Sequence, residues 1–153
     1  MKKALIIGGS RGLGFGLVEE HIRRGWHVTT TERTHSANLH GLAEKHPDKL
    51  NIENLDIRDQ AQLRSLAGRL SGQSFDLLFL NAGILLGWGK TVSEIDDADI
   101  ADKFLTNAIS PVRTADLLFD QVSPGGMIAF MSSILGSVSR NDDGRAELYR
   151  ASK

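Results

Sequence analysis

Short apolar runs alternate with amphipathic helical stretches along the whole chain, and this alternation constrains the fold more than any other feature. Ala4 to Ile7, Val28 to Thr31, Leu50 to Leu55, Asp76 to Leu80 and Met127 to Met131 read as strands. Runs as continuously apolar as Ala4 to Ile7 suit strands buried on both faces, as in a parallel sheet. Between the strands, Leu13, Leu17, Val18, His21 and Ile22 form one helical stripe that stops at Gly25. A short helix around Leu39, Leu42 and Ala43 ends before Pro47, and Leu63, Leu66, Ala67 and Leu70 mark a third, closed near Gly72. A long helix is predicted from about Asp97 to Val122, with Ile100, Phe104, Ala108 and Ala115 inward; Pro111 should bend it or mark its true start. The polar segment from Gly136 to Ala146 reads as a loop. Together these elements predict an α/β fold: a doubly wound parallel sheet in three layers, with the first strand central and residues 1–153 forming one domain.

Composition narrows the functions. A net charge of −1 gives no support to nucleic-acid or membrane-surface binding. With no cysteine there are no disulfides or thiolate metal sites, which fits a reducing, cytoplasmic setting. His21, His27, His35, His40 and His46 show no ligand-like spacing, so no metal is expected. The apolar stretch after Met1-Lys2-Lys3 is too short for a signal-peptide core, and no later run approaches membrane-spanning length.

The first strand runs into Gly8-Gly9-Ser10-Arg11-Gly12-Leu13-Gly14. Glycines at 8, 12 and 14 permit φ > 0 and let a pyrophosphate approach the backbone, while the following helix offers free N–H groups and the positive end of its dipole. A plain tight turn is the alternative, but the required strand and helix flank this one. At the far end stand Tyr149 and Lys153, four apart and so on one face of a helix. An ammonium there favours the phenolate and prepares the phenol for acid–base work.

The spacing G-x-x-x-G-x-G resembles that of the short-chain dehydrogenase/reductase family, whose sheet is of the Rossmann type. The resemblance continues in order along the chain. Asn81-Ala82-Gly83 resembles the family's N-N-A-G, with Leu80 in place of the first Asn; Thr106-Asn107-Ala108 matches its helix-borne Asn. Ser132-Ser133-Ile134-Leu135-Gly136 matches its S-S-x-x-G, and Tyr149 to Lys153 its Y-x-x-x-K. The wording around these motifs is most similar to the C-factor-like and sniffer-type carbonyl reductase branch. Ile7 replaces a usual Thr, so one hydrogen bond bracing the glycine loop is expected to be absent.

The resemblance implies an NAD(P)-dependent oxidoreductase acting on a carbonyl or alcohol. Tyr149 would be the proton donor, Ser133 the partner of the carbonyl oxygen, and Lys153 the cation that tunes Tyr149 and holds the cofactor ribose; Asn107 would position a relay water. Each has a bland alternative: a turn cap for Ser132 or Ser133, a helix kink for Asn107, a solvated pair for Tyr149 and Lys153. The expected cofactor contacts are Gly8, Ser10, Arg11, Gly12, Leu13, Gly14, Glu32, Arg33, Asp56, Ile57, Asn81, Ala82, Gly83, Tyr149 and Lys153. Asp56 would contact adenine with Ile57 packing on the ring, or cap the following helix, or both.

The choice between NAD and NADP stays open at this level. Glu32 can bind the ribose hydroxyls and repel a 2′-phosphate, so Glu32→Ala should raise NADP affinity. Arg11 and Arg33 argue the other way. The substrate is not legible, though Leu85, Leu86 and Trp88 offer apolar surface to a pocket built by the loops Gly83–Asp97 and Gly136–Glu147. In the family the pocket is completed beyond the Tyr/Lys helix, so the chain reads as truncated, with weak or no turnover of its own and a homo-oligomeric full-length form. The alternative is a non-catalytic dinucleotide-binding signalling or regulatory protein.

Overall fold

The computed structural model describes residues 1–142 and 144–153. Five strands form one sheet in the order β3-β2-β1-β4-β5: β1 Lys3–Ile7, β2 His27–Glu32, β3 Leu50–Asn54, β4 Phe75–Leu80 and β5 Val122–Phe130. Every pairing is parallel. The first strand is therefore central, and the strand order reverses between β1 and β4. Open parallel sheets bind ligands beyond the carboxyl ends of their strands at such a reversal.

The described residues form six α-helices: α1 Gly12–Arg23, α2 Ala37–Lys45, α3 Gln60–Arg69, α4 Asp97–Phe104, α5 Ser110–Leu117 and α6 Glu147–Ala151. Strand alternation divides the core in two. Ala4 and Ile6 face α1 and α2, packing with Val18, Ile22 and Leu39. Leu5 and Ile7 face α3 and α5, packing with Leu66, Phe75, Leu78 and Leu118.

Two helical expectations are corrected. Leu13 does not join the inward stripe of α1: it is 73% exposed, and Gly14, Val18 and Ile22 form the buried face. The glycine at position 14 sets this phase, because that position sits against the β1 turn where a side chain has no room. The long helix is also broken. Leu105–Ile109 make a π-helical turn between α4 and α5, and α5 starts at Ser110 with Pro111 in its first turn. Around the π turn the buried side is polar as well as apolar: Lys103 before it, Thr106 and Asn107 within it, Ser110 and Thr114 after it. Ile100, Phe104 and Ala108 are only partly buried, and Ala115 alone of the four expected positions is fully so. The helical segment ends earlier than expected, and β5 starts at Val122. A 3₁₀ turn at Ile134–Gly136 leads into the Gly136–Ala146 loop, and a second forms within it at Val138–Arg140.

The two leucines flanking this correction give opposite expectations. Leu66→Ala, at a site with no exposed surface, should cost about 2–5 kcal/mol by urea unfolding. Leu13→Ala should stay within about 0.5 kcal/mol of the parent.

Candidate active site

The glycine loop is built by hydrogen bonds from three strands. The Gly8 N–H donates to Thr31 Oγ1 at 2.9 Å, and the Gly8 carbonyl accepts from Asn81 Nδ2 at 2.8 Å. The Gly9 N–H donates to the Thr31 carbonyl, and the Asn81 and Ala82 N–H groups share the Ile7 carbonyl. The brace expected to be lost with Ile7 is thus supplied by Thr31, which composition gave no reason to single out.

The three glycines have different jobs. Gly8 lies at φ +92°, and a Cβ there would come within 2.8 Å of the Ala82 backbone. Gly14 has ordinary φ, but a Cβ would run into the Gly8 carbonyl oxygen and sit 2.5 Å from Asn81 Nδ2. Only Gly12, at φ +55°, faces open space. Gly14 is required for closure of the loop on itself, and Gly12 for access to it.

A cleft of about 410 Å³ opens at this point, lined by Gly8, Ser10, Arg11, Gly12, Arg33, Asp56, Ile57, Asn81, Ala82 and Gly83. Its positive-φ glycine mouth at the start of α1 and its two arginines suit a dinucleotide's phosphates. Leu13, Gly14, Glu32, Tyr149 and Lys153 do not line it.

Glu32 is turned to the other side of β2. Its carboxylate accepts from the Ser36 N–H at 2.8 Å and lies 2.7 Å from His40 Nε2. Strand alternation explains this, since Thr31 and Arg33 share the cleft side and Glu32 the opposite one. Contrary to the spacing argument, Glu32, His35 and His40 bring potential metal-ligand atoms within 4.8 Å of one another; the Glu32–His40 hydrogen bond accounts for the closest pair.

Asp56 is not the cap of α3; Asp59 is, accepting from Ala61 and Gln62. Asp56 is instead gripped by Arg58, whose Nη2 and Nε lie 2.8 and 3.1 Å from its two oxygens and whose Nη1 reaches Asp102 of α4 at 2.8 Å. The guanidinium holds the Asp56 carboxyl below its usual range. Because the folded-state value is depressed, the pair's contribution to stability is present above the unfolded value of 3.8 and is lost as pH falls through the folded value. Arg58→Leu should therefore destabilise by about 1 kcal/mol at pH 7, with the deficit shrinking below pH about 4 as Asp56 protonates; urea unfolding at the two pH values reads both.

Behind Ile84 of the cleft wall, Asn107 sits on the π turn. Its Oδ1 accepts from the Ile84 N–H at 2.8 Å, while Nδ2 donates to the Ile84 carbonyl and to Ser152 Oγ. Ser152 Oγ in turn donates to the Tyr149 carbonyl. Lys153 Nζ donates to the Met131 carbonyl at 3.0 Å and lies 5.9 Å from the centre of the Tyr149 ring. Burial pushes the Lys153 ammonium below its ordinary value. A Cβ on Gly83 would come within 3.3 Å of both Asn107 Oδ1 and Lys153 Nζ, and one on Gly136 within 2.7 Å of the Lys153 backbone. Tyr149 lies on α6, and Lys153 follows Ala151 by two residues. Ser133 Oγ accepts from the Leu135 N–H, which realises the turn-cap reading while leaving the hydroxyl proton free to donate elsewhere. Sequence reasoning missed Thr31, Ser36, Arg58 and Ser152, because their roles consist of contacts between distant segments.

Residues 2–153 match the family model for short chain dehydrogenases, and the chain belongs to that family. It is 32% identical over 93 residues to the C-signal of Myxococcus xanthus, spanning 60% of this chain and 55% of that protein. It is 26% identical to 1-hydroxy-2-glutathionyl-2-methyl-3-butene dehydrogenase of a Rhodococcus strain, spanning 100% of this chain and 66% of the relative. Among solved structures, a short-chain dehydrogenase/reductase from Burkholderia multivorans with bound NADP superposes with a TM-score of 0.95 at 44% identity, over 99% of this chain and 67% of that one. A carbonyl reductase from Pseudomonas aeruginosa in complex with NADP gives 0.94 at 37% identity, over 100% of this chain and 70% of that one.

The glycine contacts predict an asymmetry. Gly14→Ala should lower the melting temperature by several degrees, since the Gly8 carbonyl must move. Gly12→Ala carries the strain of its φ of +55° but meets no neighbouring atom, so it should melt above Gly14→Ala and below the parent while losing cofactor affinity measured by calorimetry.

Proposed function

We propose that residues 1–153 form a dinucleotide-binding domain of an NADP-preferring reductase acting on a carbonyl or the corresponding alcohol. The observation that carries the cofactor preference is the placement of Arg11 and Arg33 on the cleft while the Glu32 carboxylate is turned to Ser36 and His40. The NADP bound in two similar structures supports the same reading. Gly8, Gly12, Asn81 and Ala82 would cradle the pyrophosphate, Asp56 and Ile57 would meet adenine, and Lys153 the nicotinamide ribose.

When bound, that cofactor supplies or accepts the hydride at the reacting carbon. Tyr149 donates the proton from Oη to the carbonyl oxygen, or removes it from the alcohol. Ser133, its oxygen already accepting from Leu135, directs its hydroxyl proton at the same oxygen. Lys153 places a cation beside the Tyr149 ring, favouring the anion that proton donation leaves. Both Nδ2 hydrogens of Asn107 are engaged, so a relay water would use the free lone pair of Oδ1. Exposed Leu85 and Trp88 favour substrates with an apolar substituent. Exposed Ile109, Val112 and Phe119 along the α5 segment support self-association. The cysteine-free, near-neutral composition supports a cytoplasmic setting. The C-signal relative supports a second reading, a signalling protein that binds dinucleotide without turnover.

Two variants test this. In a chain spanning the full length of the relatives, Tyr149→Phe should bind NADPH normally and reduce aldehydes and ketones about 10²–10⁴-fold more slowly; a parental rate there would overturn the mechanism, and a parent of that length that binds NADPH without turnover would favour the signalling reading. Arg33→Ala should weaken NADPH about tenfold or more, with little effect on NADH.

A further inference from the structure

We infer that Glu32 acts as a positioning residue that assembles the 2′-phosphate site, so that its carboxylate supports NADP binding instead of opposing it. This rests on the NADP reading above. The Glu32 side chain is only 8% exposed, and both its oxygens have partners: one accepts from the Ser36 N–H at 2.8 Å, the other meets His40 Nε2 at 2.7 Å. Ser36 caps α2 through its Oγ, which accepts from Leu39, and the same hydroxyl donates to the Ser10 carbonyl at 2.8 Å. Ser10 immediately precedes Arg11, and the turn between Glu32 and Ser36 carries Arg33 and Thr34.

The chain Glu32–Ser36–Ser10 therefore ties the two loops that present Arg11 and Arg33 to the cleft. Two long cationic side chains on independent loops would lose conformational entropy on closing around a phosphate. Loops already fixed to each other lose less, and the gain falls on the ligand that needs both arginines. The geometry reverses the sign expected from charge alone: Glu32→Ala removes the anchor of the tie and should weaken NADPH. NADH, without a 2′-phosphate, should be affected much less.

The test measures dissociation constants for NADPH, NADH and adenosine 2′,5′-bisphosphate by calorimetry, on variants whose folding is checked by thermal melting. Glu32→Ala and Ser36→Ala should weaken NADPH and the bisphosphate by on the order of tenfold, with NADH changed less than about threefold. Glu32→Gln, which keeps an oxygen to accept from Ser36, should retain most of the affinity, and Ser36→Thr, which keeps both hydroxyl roles, should match the parent. A folded Glu32→Ala variant whose NADPH affinity is unchanged or higher overturns the inference. An equal loss for NADH and NADPH in that variant also overturns it, because the anchor would then serve the whole loop. If Arg33→Ala weakens NADPH and Glu32→Ala does not, the inference fails and the NADP reading stands. If Arg33→Ala has no effect either, or the parent does not prefer NADPH, both fail together.

Discussion

The cleft depends on how the peptide of Gly8 is satisfied. A strand that turns sharply into a helix exposes one N–H and one carbonyl where neither ladder nor helix can use them, and buried backbone groups need partners. Here β2 supplies Thr31 Oγ1 to the N–H and the segment after β4 supplies Asn81 Nδ2 to the carbonyl. The glycine loop is consequently held by the strands on both sides of β1. That arrangement requires Gly14 to approach the same carbonyl, which leaves Gly12 as the glycine with free space in front of it. Phosphate access, loop closure and strand pairing become one structural commitment, and loss of any tie loosens all of it.

A second commitment lies at Asn107. Primary amide groups bridge two chains well because they donate and accept at once. Asn107 uses this to hold Ile84 by both its N–H and its carbonyl, while its second Nδ2 hydrogen reaches Ser152. The π turn that carries it is a departure from helix geometry of the kind found at functional sites, and here it turns a polar side chain into the space between β4 and α6. On α4, just before this turn, Lys103 is buried; its Nζ donates to the Leu86 carbonyl, and burial pushes its ammonium down. A buried ammonium is tolerated only with a good acceptor. Lys103 thus anchors the loop that presents Leu85 and Trp88, and ties the apolar surface to the helix bearing Asn107.

How much of this was legible follows from the range of each interaction. Strand positions, the central place of β1 and the turn at Gly8–Gly14 follow from apolar runs and from glycine's lack of a Cβ, both properties of neighbouring residues. The division of α4 from α5 was signalled by Pro111, but the register after the π turn was not, because one extra residue per turn leaves no mark on composition. A helical wheel puts Leu13 in the core because it carries no sign that position 14 is wedged against its own loop. Distance along the chain points Glu32 at the ribose, whereas Arg33, the residue after β2, lines that side. Arg58 and Ser36 were invisible because their partners, Asp102 and Ser10, lie 44 and 26 residues away.

The Tyr149–Lys153 pair shows the same logic at its limit. The spacing suggests a helix that fixes both side chains, and Tyr149 lies on α6. Contacts from other segments also position the pair. Asn107 reaches Ser152, Ser152 returns to the Tyr149 carbonyl, and Lys153 is drawn to the Met131 carbonyl at the end of β5. Gly136 has no side chain, so the Lys153 backbone can sit against it, within reach of Ser132 Oγ at 3.3 Å. The motif S-S-x-x-G is therefore a dock for the Tyr/Lys segment as well as the carrier of Ser133. The two motifs are one site because each leaves room, or supplies an acceptor, for the other.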